Sequence, residues 1–143
     1  MICTKIHLLI CAELQEFERR REMAKISQKD TLKTIIKAMD SKLAEDIQLI
    51  GIKDLTIVAD YFVIANGSST TQTKAIADEV EFKLKQQGIE PVRTEGYSGS
   101  TWIVLDYADI VVHVFYKETR DYYKLERLWS DGEQCDIDEY IND

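Results

Sequence analysis

The chain has 143 residues, of which 45% are hydrophobic and 31% charged, and its formal charge is −8. That length suits one domain able to bury roughly two-thirds of its unfolded surface without metals or disulfides, and the balance is too apolar for a disordered chain. The acidic excess disfavours naked nucleic acid and anionic membranes, whose recognition depends on Lys and Arg displacing counterions, and favours a basic protein partner.

Residues 1–22 carry four acidic and four basic side chains, so the whole charge excess belongs to residues 23–143. The apolar run from Ile6 to Ala12 follows one lysine but leads into Glu13, Glu16 and Glu18 without a small-residue cleavage site, which argues against a signal peptide. A transmembrane helix needs about twenty apolar residues and does not fit there. Glu18-Arg19-Arg20-Arg21-Glu22 stands just before Met23, and Arg and Glu are encoded by purine-rich triplets such as AGG and GAA. The stretch reads as a translated bacterial ribosome-binding site. Residues 1–22 are therefore expected to be a leader, disordered or a mispredicted start, ahead of a domain at 23–143. Cys3, Cys11 and Cys135 are an odd number with no CxxC pair, so neither a disulfide framework nor a zinc site is expected, and a reducing cytoplasm fits best.

Ser27 with Asp30 resembles a capping box, and Leu32, Ile35, Ile36, Met39 and Leu43 then recur at helical spacing. The pattern predicts an amphipathic helix over about 28–43 whose stripe packs on a sheet. Ile47, Leu49 and Ile50 predict a short strand closing near Gly51, and the apolar run from Ile57 to Ala65 predicts a buried central strand ended by Gly67. Ser69 with Gln72 forms a second capping box, Ile76, Val80 and Leu84 a stripe, and Gly88 a left-handed cap, giving a helix over about 70–87 with Phe82 off its stripe. Pro91 opens an extended segment through Val92 and Thr94, and Gly96 and Gly99 bracket a turn. Two alternating segments follow, Thr101 to Asp106 and Asp109 to Tyr116, joined at Tyr107-Ala108 as a hairpin. Tyr122, Leu125, Leu128 and Trp129 predict a last short helix, with a polar tail from Ser130. The order predicts an α/β (α+β) domain with a single mixed sheet and flanking helices.

No catalytic constellation emerges. Gly67-Ser68-Ser69 lies between a strand and a helix, where a glycine turn can cradle phosphate, yet neither GxxxxGK[ST] nor GxGxxG is present and capping explains the Ser69 hydroxyl. The same turn is similar to the start of a nucleotidyltransferase signature, which requires two carboxylates one residue apart on a following strand to hold magnesium. Asp78, Glu79 and Glu81 instead fall inside the predicted helix, and the strand after Pro91 offers only Glu95. Asp106, Asp109 and His113 are the remaining acid-base group, but aspartates commonly flank tight turns and a strand histidine is more often packed than catalytic. No hydrolase elbow is present. No catalytic residue, metal or cofactor is expected.

Several segments taken in order resemble one family. They are Ala59-Asp60-Tyr61-Phe62-Val63-Ile64-Ala65-Asn66-Gly67-Ser68-Ser69, Ile76-Ala77-Asp78, Glu95-Gly96, Trp102-Ile103-Val104-Leu105-Asp106-Tyr107, Asp109-Ile110-Val111-Val112-His113 and Tyr123-Lys124-Leu125-Glu126-Arg127-Leu128-Trp129. Together they resemble the bacterial ribosomal silencing factors, RsfS, also called the Iojap or YbeB family. The resemblance implies a nucleotidyltransferase-like fold without catalysis. It also implies binding to the large ribosomal subunit through its fourteenth protein, with steric hindrance of small-subunit joining and damping of translation when nutrients are short. Family members often form dimers. On this reading Trp102 anchors the partner interface, Glu95, Asp106 and Asp109 supply acidic complement, and Ile103 and Tyr107 add apolar contact, whereas Tyr123 and Trp129 pack helix to sheet. The alternative is a metal-dependent nucleotidyltransferase-like enzyme or a nucleotide-binding protein.

Overall fold

The structure, a computed structural model, describes residues 28–57 and 59–141. The leader, Cys3, Cys11 and the Ser27 half of the first capping box lie outside those residues. The chain divides into two compact units, Met1–Thr31 and Leu32–Asp143, and the second carries the sheet and everything built on it.

Helix α1 occupies 28–41 of the described residues, and Leu32, Ile35, Ile36, Ala38 and Met39 are buried on its stripe. Strand β1 (Glu45–Gly51) follows, then β2 (Tyr61–Gly67) and helix α2 (Thr70–Gln86). Three strands come next, β3 (Arg93–Glu95), β4 (Trp102–Asp106) and β5 (Ile110–Tyr116). The chain then forms α3 (Lys117–Tyr123), α4 (Leu125–Leu128), β6 (Glu133–Cys135) and α5 (Asp138–Ile141). The six strands make one sheet in the order β3-β4-β5-β2-β1-β6. Only β2 and β5 run parallel, because α2 and the β3-β4 meander intervene between them; the other neighbouring pairs are antiparallel.

Alternation along the central strands sorts side chains onto two faces. Val63, Ala65, Ile103, Leu105, Val112 and Val114 join Leu32, Ile35, Ile36 and Met39 of α1 and Ile76, Val80 and Leu84 of α2 in an aliphatic core. Phe62, Ile64, Val111 and Phe115 point the other way, with Ile50, Ile52 and Leu125, and Trp102, Val104 and Trp129 pack against them. The long apolar runs of β2 and β5 thus reflect strands covered on both sides.

The second capping box forms with one change. Ser69 Oγ accepts from the Gln72 amide at 3.0 Å, but the returning Gln72 Oε1 accepts from Ser68, from its amide at 2.7 Å and its hydroxyl at 2.8 Å. Gly67 is required just before this cap, since a Cβ there would stand 2.9 Å from the Thr73 amide nitrogen. Gly88 takes the left-handed conformation expected of it, with φ 79°.

Four expectations need correction. The α1 stripe stops before Leu43, which turns out at φ 60° and is exposed; Gln72 Nε2 holds that turn by donating to the Lys42 and Leu43 carbonyls at 3.2 and 3.1 Å. Strand β2 starts at Tyr61 rather than Ile57, which lies fully in solvent. The Ile52 amide donates to the Asp60 carbonyl at 2.9 Å, and apolar character alone does not give Ile57 a strand partner. The last predicted helix is two, broken at Lys124 in the left-handed region, and Tyr122 and Leu128 are exposed. The polar tail after Ser130 contains β6, whose Cys135 pairs with Leu49 and extends the sheet.

Candidate functional site

One edge of the sheet is β3, paired with β4; the other is β6. In register, Glu95 opposes Val104 and Arg93 opposes Asp106, so these four side chains share the face that carries Trp102. Arg93 Nε lies 3.7 Å from both Glu95 Oε1 and Asp106 Oδ2, forming an acidic-basic-acidic triplet in which Arg93 and Glu95 are exposed and Asp106 is partly buried. Glycine at position 96, with φ 89°, lets the chain leave β3 close beside β4, where a Cβ would overlap the Trp102 carbonyl oxygen. Asp106 Oδ1 also accepts from the Ala108 amide at 2.9 Å, which fixes the hairpin turn with Ala108 at φ 68°.

Trp102 is half-buried and held on three sides. Its ring stacks on Phe115 with centroids 4.9 Å apart and meets Tyr123 at 5.1 Å. Its indole nitrogen donates to His113 Nδ1 at 3.1 Å. His113 is itself buried, edge-on to Phe62 at 4.8 Å, and burial pushes its pKa down to about 4. The imidazole is therefore neutral near pH 7. Accepting at Nδ1 places its proton on Nε2, which has no hydrogen-bond partner. This is a packing histidine that orients Trp102.

The six residues expected at the partner interface separate. Trp102, Asp106 and Glu95 share one face, and Asp109 sits exposed at the hairpin turn, where its carbonyl accepts from the Asp60 and Tyr61 amides. Ile103 does not join them: it is fully buried in the aliphatic core, because it is one residue out of phase with Trp102. Tyr107 likewise turns its ring against that core. Its hydroxyl is enclosed without a hydrogen-bond partner, and burial raises its pKa. Val104 shares the face of Trp102, as the alternation along the strand predicts; Arg93 shares it too and is not marked by the sequence pattern, the signal for it being the pairing of the Pro91-led residues with β4.

The chemical alternatives do not assemble. Asp106 and Asp109 sit at the turn while His113 opposes Val104 further along and is buried beneath aromatic rings. On α2, Glu79 lies 3.9 Å from Lys83 and Glu81 accepts from the Tyr97 hydroxyl at 3.0 Å, so these carboxylates serve separate partners. Among the described residues no group of three His, Cys, Asp or Glu side chains is placed to hold a metal ion. At the Ser68-Ser69 turn, Gln72 Oε1 already occupies the donors a phosphate would need. Among the described residues no helix is long and apolar enough to cross a membrane.

A buried polar anchor lies at the other end of the same face. Arg120 on α3 donates from Nη1 to the Asp46 carbonyl and to Asn66 Oδ1, both at 2.8 Å, and from Nε to Glu126 Oε1 at 3.3 Å. It ties β1, β2 and α4 to α3 and so fixes the helix that brings Tyr123 onto Trp102.

Comparison with known proteins bears on this arrangement. The family model described as ribosomal silencing factor during starvation matches residues 25–143. The chain is similar to a ribosomal silencing factor RsfS of Bacillus subtilis, 41% identical over 117 residues that cover 82% of this chain and 99% of the relative. It is also similar to a mouse protein named mitochondrial assembly of ribosomal large subunit protein 1, at 30% identity over 73% of this chain and 47% of the relative. A crystal structure from Chromobacterium violaceum superposes with a TM-score of 0.69 at 34% identity, covering 75% of this chain and 88% of that one. A second, from Bacillus halodurans, gives 0.67 at 38% identity, covering 75% and 97%.

Proposed function

The chain belongs to the ribosomal silencing factor family, and from that premise we propose how its geometry does the work. The protein binds the large ribosomal subunit and represses translation during starvation, by binding and not by catalysis. The contact we assign is to the fourteenth protein of that subunit, through the outward face of the β3-β4 edge, where the bound domain hinders joining of the small subunit. The observation that carries this reading is the Trp102 face: a half-buried aromatic ring, fixed on its polar side by His113, beside the Glu95-Arg93-Asp106 triplet. Trp is among the residue types enriched at interface hot spots, and a ring already held in one orientation loses little freedom on binding.

The charge supports docking through protein. Ribosomal proteins are generally basic, so an acidic factor is steered to one while being repelled by the surrounding RNA phosphate. Blocking subunit joining requires affinity and bulk in the right place and no reaction. The nucleotidyltransferase-like description of the fold belongs to the same reading: a sheet and helices of that kind, with the carboxylates of α2 engaged elsewhere.

The test is Trp102→Ala. Co-sedimentation with purified large subunits is expected to weaken by about tenfold or more, equivalent to about 1.4 kcal/mol, while thermal unfolding still shows a cooperative transition. Unchanged co-sedimentation would refute the assignment.

A further inference from the structure

Next to the proposed contact, where β4 begins, β5 ends and α3 starts, the surface holds a groove of about 600 Å³. Thr101, Trp102, Tyr116, Glu118, Tyr122 and Tyr123 line it. Tyr122 is 82% exposed and Tyr123 53% exposed, and their rings meet edge to face at 5.1 Å. Such exposure is unusual for two adjacent aromatic side chains beside an already half-covered tryptophan. It follows from the phase of α3, whose buried residue is Arg120; Tyr122, two residues on and about 200° around the helix, faces away from the sheet.

We propose that this groove takes a cationic side chain, the guanidinium or ammonium group of a basic protein segment. Ring faces attract cations through their quadrupole, and a guanidinium plane stacks on them as well. Glu118 is the charged residue among those lining the groove, and it supplies the carboxylate that pairs with the bound cation. The same carboxylate, on a chain of charge −8, opposes a nucleotide or an RNA strand, which would otherwise be the natural occupant of an aromatic surface. A second copy of the chain is equally acidic and is disfavoured for the same reason.

The proposal deepens the preceding reading and rests on it, since the segment would belong to the same large-subunit protein that meets Trp102. Trp102 is common to both surfaces: its ring lines the groove while its indole nitrogen is committed to His113. The part of the ring left uncovered by Phe115 and Tyr123 is thus available where its polar edge is not.

Two measurements test it. The full chain labelled with nitrogen-15 is titrated with arginine amide, followed at the indole N–H signals of Trp102 and Trp129. The Trp102 signal is expected to move with arginine amide and not with sodium chloride at matched ionic strength, while Trp129, which packs on Phe62, stays in place. Movement with adenosine monophosphate instead, or no movement of Trp102, overturns the proposal. In the second measurement Glu118→Lys and Tyr122→Ala are compared with Asp40→Lys in co-sedimentation with purified large subunits. Asp40 is an exposed acidic residue on α1, over the opposite face. Glu118→Lys is expected to lose about tenfold in affinity and Tyr122→Ala severalfold, with Asp40→Lys within about twofold of the parent chain. Equal behaviour of all three variants sinks the groove proposal while leaving the Trp102 contact standing. Failure of the unaltered chain to sediment with the subunit overturns the underlying reading instead.

Discussion

The two faces of the sheet are built on different principles from the same strands. The face under α1 and α2 is aliphatic, with Ile103, Leu105, Val112 and Val114 fully enclosed. The opposite face is aromatic and polar: Trp102, His113, Phe115 and Phe62 form a chain of ring contacts under the short α3 and α4, and it stays open at the β3-β4 edge. Aliphatic side chains reward complete closure, because their contribution scales with apolar area removed from water. Rings with a polar edge tolerate a boundary position, provided that edge finds a partner, as Trp102 does at His113. One face therefore serves stability and the other presents a surface without collapsing it.

The comparison breaks most severely at Arg120. Replacing it by Met leaves Asn66 Oδ1, the Asp46 carbonyl and Glu126 without their buried donor, and a loss of about 3–5 kcal/mol is expected in chemical denaturation. Next is Ile103→Ala, which removes a buried branched side chain from the aliphatic face; about 2–5 kcal/mol should be lost, yet the folded fraction should bind large subunits normally. Trp102→Ala, which also gives up its Phe115 and His113 contacts, should lose binding even in the folded fraction, and similar binding losses from the two neighbours would erase the distinction between faces.

The aromatic face should also respond to pH where the aliphatic face cannot. His113 has a folded pKa of about 4, below the ordinary histidine value, because burial disfavours its charged form. Between that value and about 6.5 the unfolded chain binds a proton that the folded chain does not, so stability rises with pH across this window and falls as pH drops through it. The full effect is about 3 kcal/mol, complete only once the pH is below about 4. His113→Phe should flatten that part of the stability profile, as read by denaturant midpoints at a series of pH values. A slope identical to the parent's would show that the histidine is not buried as described.

How much of this was legible in the sequence depended on whether a residue's place was set locally. The helix after Gly67 was readable because Ser69, Gln72 and Gly88 carry their own backbone geometry, and the face-splitting of β4 and β5 followed from alternation. Ile103 shows where such reading stops: proximity to Trp102 along the hairpin placed it at the interface, although a strand puts neighbours on opposite faces. The extended run from Ile57 also misled, since its membership in β2 is decided by the Ile52-Asp60 pairing across the loop. β6 was invisible because Glu133 to Cys135 are mostly exposed and owe their strand conformation to β1. Arg120 was missed for a similar reason. Its partners lie on β1, β2 and α4, and nothing in its own neighbourhood marks it as buried.

The smallest expected effect on stability comes from Arg93→Ala, and it is the sharpest probe of what the open edge is for. Arg93 is well exposed and its two ion pairs, each at 3.7 Å, are long. Exposed pairs of this kind contribute little, so thermal unfolding should change by less than about 1 kcal/mol. Removing the cation, however, leaves Glu95 and Asp106 uncompensated on the face that carries Trp102. If that face meets a basic protein, the variant should bind large subunits more tightly than the parent at low salt, mainly through faster association, and the gain should shrink as salt screens the carboxylates. Weaker binding would mean that Arg93 itself contacts an acidic or phosphate group of the particle. The edge would then be read as a mixed-charge surface instead of an acidic one.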